Sequence, residues 1–248
     1  MKIVFTPDWF LGGDVLIEII GFIILSIFFY LCVKSYRLTK NKSSLILGLG
    51  FFLIALAELA TIFTKVVLYY DSTFTQQVGR MVVTYQVVSS VDIFYYIGFF
   101  FHKLLTLLGF YVIYRLPRKE KSFGDVLIGI CFIIIAALFS QTFYYLFHLT
   151  ALILLILITN NYCEIYNKNK AKNTKILIIA FSMLALSQVI FILSKLGVLY
   201  VIAQVLQLVS YLILLILIIK IIKYGKKKKQ GRYNIRYAGK NSGKRRKN

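Results

Sequence analysis

Residues 98–110 read GFFFHKLLTLLGF, an apolar run with His102 and Lys103 at its centre. Apolar neighbours extend this run over about 91–114, which is long enough to cross the roughly 30 Å hydrocarbon core of a bilayer as one helix. A charge at the middle of such a helix costs about 2.5–3.5 kcal/mol. The stretch therefore predicts a membrane-spanning helix that carries a polar site.

Apolar runs of this kind recur along the whole chain. Of the 248 residues, 59% are hydrophobic and 16% are charged, whereas soluble domains are about 45–50% apolar and about 25% charged. The expected fold class is an all-α integral membrane protein of the cell membrane, a bundle of seven transmembrane helices. The predicted spans are about 13–33, 45–68, 91–114, 123–140, 142–161, 174–195 and 198–221, within a transmembrane domain of residues 1–222.

Lysine and arginine residues are concentrated in alternate connections between these spans. They cluster at 34–42, 115–121 and 168–175 and again beyond residue 220, whereas the intervening connections hold almost none. Cytoplasmic loops carry the excess of Lys and Arg in membrane proteins. The pattern predicts an external N-terminus and a cytoplasmic C-terminus.

The C-terminal segment, residues 223–248, is basic and poor in apolar residues, so we expect a disordered cytoplasmic tail. Such a tail binds anionic lipid headgroups, at about 1 kcal/mol for each basic residue near the surface. Contact with RNA or the ribosome is the alternative, because Tyr233 and Tyr237 alternate with basic residues. The predicted headgroup-binding residues are Lys226, Lys227, Lys228, Lys229, Lys244, Arg245, Arg246 and Lys247.

Polar residues inside the spans fall mostly in the outer half of the bilayer. Residue counts from the external ends place Glu58 and Lys103 at nearly the same depth, and Glu18 and Lys65 together nearer the surface. We therefore expect a Glu58–Lys103 ion pair and a second match in depth between Glu18 and Lys65, with Asp14 on the external side of the membrane. The predicted intramembrane polar cluster comprises Glu18, Glu58, Lys65, His102, Lys103, His148, Gln188, Gln204, Gln207 and Tyr211.

The inner halves of the last three spans are runs of leucine and isoleucine. This contrast predicts a polar cavity that is open to the outside and closed on the inside by apolar side chains. The alternative is that the polar residues only hold the helices together, as buried polar groups do in many membrane proteins. Residues 76–90 are compatible with an interfacial helix or with an extension of the third span.

No catalytic motif occurs, and the three cysteines form no C-x-x-C pair, so neither an enzyme, nor a metal site, nor a cofactor is expected. The favoured function is a receptor-like or sensory module that binds a ligand in the outer half of the bundle. The first alternative is a small transporter or a proton or ion pathway using Glu58, His102 and Lys103. The second is a non-catalytic subunit or anchor with a membrane or cytoplasmic protein partner.

The organisation of the spans bears on the choice between receptor and transporter. Many transporters consist of two structural repeats, and seven spans are compatible with two parallel three-helix repeats joined by one helix. Spans one to three show no visible match to spans five to seven, and no paired Gly or Pro interruptions occur. These absences favour the receptor-like interpretation.

Overall fold

The structure is a computed structural model. It describes residues 8–10, 12–78, 82–116, 123–194 and 197–244. Within these ranges, only the backbone is described for residues 8, 39, 68–94, 222 and 224–244. The described residues form seven α-helices and a short 3-10 turn, and they contain no strand. The helices are α1 (Gly13–Thr39), α2 (Lys42–Val78), α3 (Val82–Arg115), α4 (Phe123–Phe139), α5 (Tyr144–Asn169), α6 (Lys172–Ile192) and α7 (Gly197–Lys244).

Six helices of the described chain contain a segment that is long and apolar enough to cross a bilayer. The segments are Gly13–Leu38, Lys42–Val67, Tyr95–Arg115, Tyr144–Asn169, Lys172–Ile192 and Gly197–Ile221. The helix α4 is also apolar but has 17 residues, which is at the short end of the range for a span. The prediction of an all-α membrane bundle is confirmed.

Several helices continue beyond the predicted spans, and two of these extensions bear on the predictions. The backbone of α3 is helical from Val82, so residues 82–90 extend the third helix. The backbone of α7 is helical to Lys244, where the sequence predicts a disordered tail; the many Lys and Arg residues there are good helix formers. The side chains of the predicted headgroup-binding residues Lys226 to Lys229 and Lys244 are not among those described. Arg245, Arg246 and Lys247 lie outside the described residues.

Six of the helices pack as a closed ring in the order α1, α2, α3, α5, α6, α7, with α7 returning to α1. The helix α4 lies outside this ring against α3 and α5. It buries only Ile133, Ala136 and Ala137, while side chains such as Phe132 and Phe139 are exposed to the surroundings. The ring therefore consists of two three-helix units, α1–α3 and α5–α7, and α4 connects them from outside.

The two three-helix units have the same pattern of neighbours and connections, which fits the arrangement of two three-helix repeats joined by one helix that the sequence left open. Their neighbours correspond pairwise, because α3 packs against α5 as α7 packs against α1. The connections agree as well. The residues that follow α1 and α5 are Lys40 and Lys170, and both have positive φ. No other non-glycine residue of the described chain does. The N–H groups of Lys40 and Lys170 bond to Tyr36 O and Tyr166 O at 2.7 Å in both cases.

The sequences of α1–α2 and α5–α6 align without a gap when 130 is added to each residue number. Identities at this offset include Tyr36/Tyr166, Lys40/Lys170, Lys42/Lys172, Phe51/Phe181 and Lys65/Lys195. Burial follows the same alignment, since Leu25/Leu155, Phe51/Phe181 and Ile54/Leu184 are all at most 1% exposed. The rings of Phe51 and Phe181 stack at a centroid distance of 6.3 Å, so these two counterparts meet between the repeats.

The third helices, α3 and α7, correspond at a different offset. In α3, a Cβ added to Gly109 would lie 2.7 Å from Gly50 O. In α7, Ser210 donates a hydrogen bond of 2.6 Å to Ala180 O, and Ala180 is the counterpart of Gly50. Gly109 and Ser210 therefore occupy equivalent positions, which pairs Lys103 with Gln204 and Thr106 with Gln207.

The bundle has two unlike ends. The end that carries the Lys40 and Lys170 connections, called the basic end below, is filled by apolar side chains that belong to both repeats. Phe51 packs against Phe28 with ring centroids 4.5 Å apart, and Phe181 stacks on Tyr162 at 5.6 Å. The opposite end, which carries the start of α1 and the turn between α4 and α5, is called the cavity end.

The close contact between α2 and α3 gives a stability prediction. In Gly109→Ala the new methyl group would lie 2.6 Å from Ile54 Cγ1 and 2.7 Å from Gly50 O, and overpacking of this kind costs about 1–3 kcal/mol. We expect a lower unfolding temperature for purified Gly109→Ala in detergent. Gly21→Ala is the matched control, because a Cβ added there would lie 3.8 Å from its nearest neighbour, Tyr211 Cδ2, which is an ordinary contact distance. Equal unfolding temperatures for the two variants would contradict the α2–α3 packing.

Candidate functional site

A cavity of about 430 Å³ lies at the cavity end, between the two repeats. All six helices of the ring contribute side chains to its lining, together with the turn at Ser140, Gln141 and Thr142. The ten residues of the predicted polar cluster, which the structure brings together, all line it: Glu18, Glu58, Lys65, His102, Lys103, His148, Gln188, Gln204, Gln207 and Tyr211.

Lys65 is the centre of a buried ion cluster that joins three helices. Its Nζ lies 2.7 Å from Asp14 Oδ2 and 2.5 Å from Glu18 Oε1, both on α1. It also donates a hydrogen bond of 3.2 Å to Tyr200 OH on α7. The three charged residues are at most 7% exposed. Glu18 and Lys65, which were predicted to match in depth, therefore form a pair, and Asp14 at the start of α1 joins them.

Glu58 lies about two helical turns deeper than Lys65 on α2 and faces α7. Its Oε1 accepts a hydrogen bond of 3.1 Å from Gln207 Nε2, and Tyr211 OH lies 3.5 Å away. The predicted Glu58–Lys103 ion pair is wrong, because the stripe formed by Glu58, Thr61 and Lys65 points to α1 and α7 rather than to Lys103. Depth alone does not specify the side of a helix on which a residue lies.

Lys103 lies on the other side of the cavity and pairs with a neutral group. Its Nζ donates a hydrogen bond of 2.7 Å to the main-chain oxygen of Ser140, at the end of α4. An ammonium group has three N–H donors, and this contact uses one of them. Among the described residues, Lys103 forms no ion pair within 4.0 Å.

Both histidines are held in one orientation by their Nδ1 atoms. His102 Nδ1 lies 3.2 Å from Ala57 O, and His148 Nδ1 lies 2.9 Å from Gln188 Oε1. Since both partners are oxygen acceptors, each Nδ1 carries the hydrogen, and Nε2 of the neutral ring is an acceptor. These contacts tie α3 to α2 and α5 to α6.

Three buried side-chain oxygens around the cavity have no hydrogen-bond partner within the described structure: Glu18 Oε2, Thr106 Oγ1 and Gln204 Oε1. These residues are 7%, 8% and 7% exposed and all line the cavity. A buried polar atom without a partner costs about 1–3 kcal/mol. Their presence in one cavity points to a partner from outside the protein, such as water or a ligand.

Counterparts from the two repeats line the cavity together. The pairs are Glu18/His148, Glu58/Gln188, Phe99/Tyr200, Lys103/Gln204, Thr106/Gln207 and Phe110/Tyr211. The cavity thus lies on the interface between the repeats. In these pairs the carboxyl and ammonium groups all belong to α1–α3, and the counterparts in α5–α7 are neutral amides, phenols or a histidine.

Sequence reasoning missed Asp14, Tyr200 and Thr106. Asp14 is one turn before Glu18 and Tyr200 is one turn before Gln204, so an extension of each polar stripe by four residues identifies both. Thr106 lies three residues after Lys103 on α3. The described residues contain no group of three or more His, Cys, Asp or Glu side chains arranged to hold a metal ion.

Comparisons with known proteins identify no relative of this chain. A scan against protein-family models matches no family, and searches of curated proteins and of solved structures find no match. The function of the cavity must therefore be inferred from the residues that line it.

The ion cluster gives a second stability prediction. In Lys65→Met, Asp14 and Glu18 lose the cation that neutralises them, and removal of one partner from a buried ion pair costs about 3–5 kcal/mol. We expect a strongly lowered unfolding temperature for the purified protein. The triple variant Lys65→Met, Asp14→Asn, Glu18→Gln removes the unpaired charges as well and should recover most of the loss.

Lys175→Met is the control for this experiment, because Lys175 is exposed near the start of α6. It should unfold at the temperature of the unsubstituted protein. If Lys65→Met were as stable as this control, the buried ion cluster would not contribute to stability.

Proposed function

We propose that this protein is a small transporter of the cell membrane that moves a polar molecule through the interface between its two three-helix repeats. The observation that carries the proposal is the position of the cavity, whose lining consists of equivalent residues from both repeats. In many transporters built from repeats, the substrate site lies at the repeat interface.

The transport cycle that suits this architecture is a rocking movement of one repeat against the other. The cavity lies at one end of the bundle, and apolar contacts between the repeats, such as Phe51 on Phe181, fill the basic end. Separation of those contacts, with closure of the cavity end, would expose the same site to the other side of the membrane. The loosely packed α4 allows the movement, since it buries only three residues.

We further propose seven spans with the N-terminus outside, α4 being the fourth span. The basic connections at Lys40 and Lys170 and the tail beyond residue 223 then lie at the cytoplasmic surface, as the positive-inside rule requires. The cavity faces the outside. In this arrangement the basic tail binds anionic lipid headgroups of the inner leaflet.

A receptor-like or sensory module is the second candidate function. It is favoured by the apolar core of the basic end, where side chains such as Leu155, Leu184 and Leu214 are at most 1% exposed. Such a protein would bind its ligand in the same cavity without letting it pass, and a partner protein would respond to a shift of the helices.

Cysteine accessibility distinguishes the two functions without knowledge of the substrate. In a background with Cys32, Cys131 and Cys163 replaced, a membrane-impermeant maleimide is applied to intact cells and to inside-out vesicles. Thr106→Cys, in the cavity, should be labelled from the outside. Leu214→Cys, in the apolar core, should be labelled from the cytoplasmic side, because transport requires an inward-open state.

Two control positions complete the test. Asn167→Cys, exposed near the end of α5, should react only from the cytoplasmic side, and Ile153→Cys, 51% exposed on the lipid-facing surface of α5, should react from neither. If Leu214→Cys were as unreactive as Ile153→Cys, the transporter proposal would be wrong and the receptor-like function would remain. If Asn167→Cys reacted from outside, the orientation would be wrong.

A further inference from the structure

The charges of the cavity are separated between two sides. On the side formed by α1, α2 and α7 lie the carboxyl groups of Asp14, Glu18 and Glu58, with Lys65 as their cation. On the side of α3 and the α4–α5 turn lies Lys103, which is held by the main-chain oxygen of Ser140. Among the described residues, one side therefore has three carboxyl groups and one ammonium group, and the other has the ammonium group of Lys103 with no carboxylate within 4.0 Å.

Two acceptors on the side with excess carboxyl groups, Glu18 Oε2 and Gln204 Oε1, have no donor among the described residues. They lie near the same phenol. Lys65 Nζ, which also contacts Glu18, and Gln204 Nε2 donate to Tyr200 OH at 3.2 and 2.8 Å. An ammonium group supplies three N–H donors and one positive charge. It would satisfy acceptors that the described protein leaves unpaired, on the side where carboxyl groups outnumber ammonium groups.

The side of Lys103 has the opposite requirement. Lys103 is partly buried in the wall of the cavity, and a buried charge is stable only when it is paired. Its contact with Ser140 O uses one of three N–H donors. A carboxylate would accept the remaining hydrogen bonds, and charge-assisted bonds of this type are roughly twice as strong as neutral ones.

We propose that the substrate is a zwitterion, a free amino-carboxylic acid whose ammonium group binds at Glu18 and Gln204 and whose carboxylate binds at Lys103. Aromatic side chains, among them Phe99, Phe147 and Phe191, line the same cavity and provide contacts for an apolar substrate body. The volume of about 430 Å³ is within the roughly 300–1,000 Å³ typical of small-molecule sites. This inference rests on the proposed function, since it names the substrate class of that same cavity.

The test measures binding to the full-length purified protein in nanodiscs by isothermal titration. The probes are phenylalanine, leucine and glycine as zwitterions of decreasing size, phenylalaninamide as an ammonium without a carboxylate, and N-acetylphenylalanine as a carboxylate without an ammonium. At least one zwitterion should bind, and where phenylalanine does, its affinity should exceed that of either single-charge analogue by at least tenfold.

The charge variants assign each end of the substrate. Glu18→Gln should weaken binding of the zwitterion and of phenylalaninamide about tenfold and leave N-acetylphenylalanine unchanged; Lys103→Gln should show the opposite selectivity. Gln204→Leu tests the ammonium end while the ion pairs of Lys65 with Asp14 and Glu18 stay in place, and it guards against a folding defect in Glu18→Gln. Glu164→Gln and Lys175→Gln, exposed and remote from the cavity, should bind as the unsubstituted protein does.

Each negative result has its own meaning. If phenylalaninamide bound as tightly as phenylalanine and Lys103→Gln changed neither affinity, the substrate would be a simple cation and the zwitterion proposal would be wrong. If none of the probes bound while Leu214→Cys was labelled from the cytoplasmic side, the substrate class would be wrong and the transporter proposal would stand. If that labelling failed, the transporter proposal would fail whichever probe bound.

Discussion

A lysine within a membrane-spanning helix must find its counter-charges inside the protein, because the hydrocarbon of the bilayer supplies none. Lys65 meets this requirement by drawing two carboxylates from α1 and a phenol from α7 to itself. Those contacts fix the relative rotation of three neighbouring helices. The same rotation turns Glu58 toward Gln207 and brings the polar stripes of α2 and α7 to face one another around the cavity.

The two three-helix repeats have equivalent backbones, yet the cavity between them is lined by different side chains on its two sides. The backbone features shared by the repeats are those of assembly: the left-handed residues Lys40 and Lys170, and the buried positions of Phe51 and Phe181. The side chains that differ are those around the cavity, where the charged groups of one repeat face neutral counterparts in the other. Apolar packing is possible when the two repeats carry equivalent residues. Recognition of the proposed zwitterion, which has one positive and one negative end, requires the cavity residues of the two repeats to differ.

The fold class and the members of the polar cluster could be predicted from the sequence. The fold class follows from the lengths of the apolar runs, and the cluster follows from the height of each polar residue in the bilayer. A residue count along a helix gives its height in the bilayer to within about a turn, and this placed Glu18 beside Lys65. It gives no rotation about the helix axis, so it paired Glu58 with Lys103, although the two face different helices.

The repeat escaped detection for chemical and geometrical reasons. Lipid-facing and buried positions exchange Leu, Ile, Val and Phe freely, so few identities remain, and their regular pattern is visible only when burial is known. The third helices also follow a different offset, because α2 and α3 continue well beyond their spanning segments before they connect. The segments Lys42–Val67 and Tyr95–Arg115 are separated by 27 residues, whereas Lys172–Ile192 and Gly197–Ile221 are separated by four. An alignment at one fixed spacing therefore loses the match after the second helix.

The external position of α4 has a consequence for the way such a chain tolerates change. A unit of three spanning helices ends on the opposite side of the membrane from its start, so two such units can have the same orientation only if one more helix brings the chain back. That task requires length and lipid solubility but few particular neighbours, and α4 buries only Ile133, Ala136 and Ala137. Substitutions among its many lipid-facing residues should be almost neutral, whereas α1–α3 and α5–α7 carry the constraints of both packing and recognition, so sequence drift should concentrate in α4.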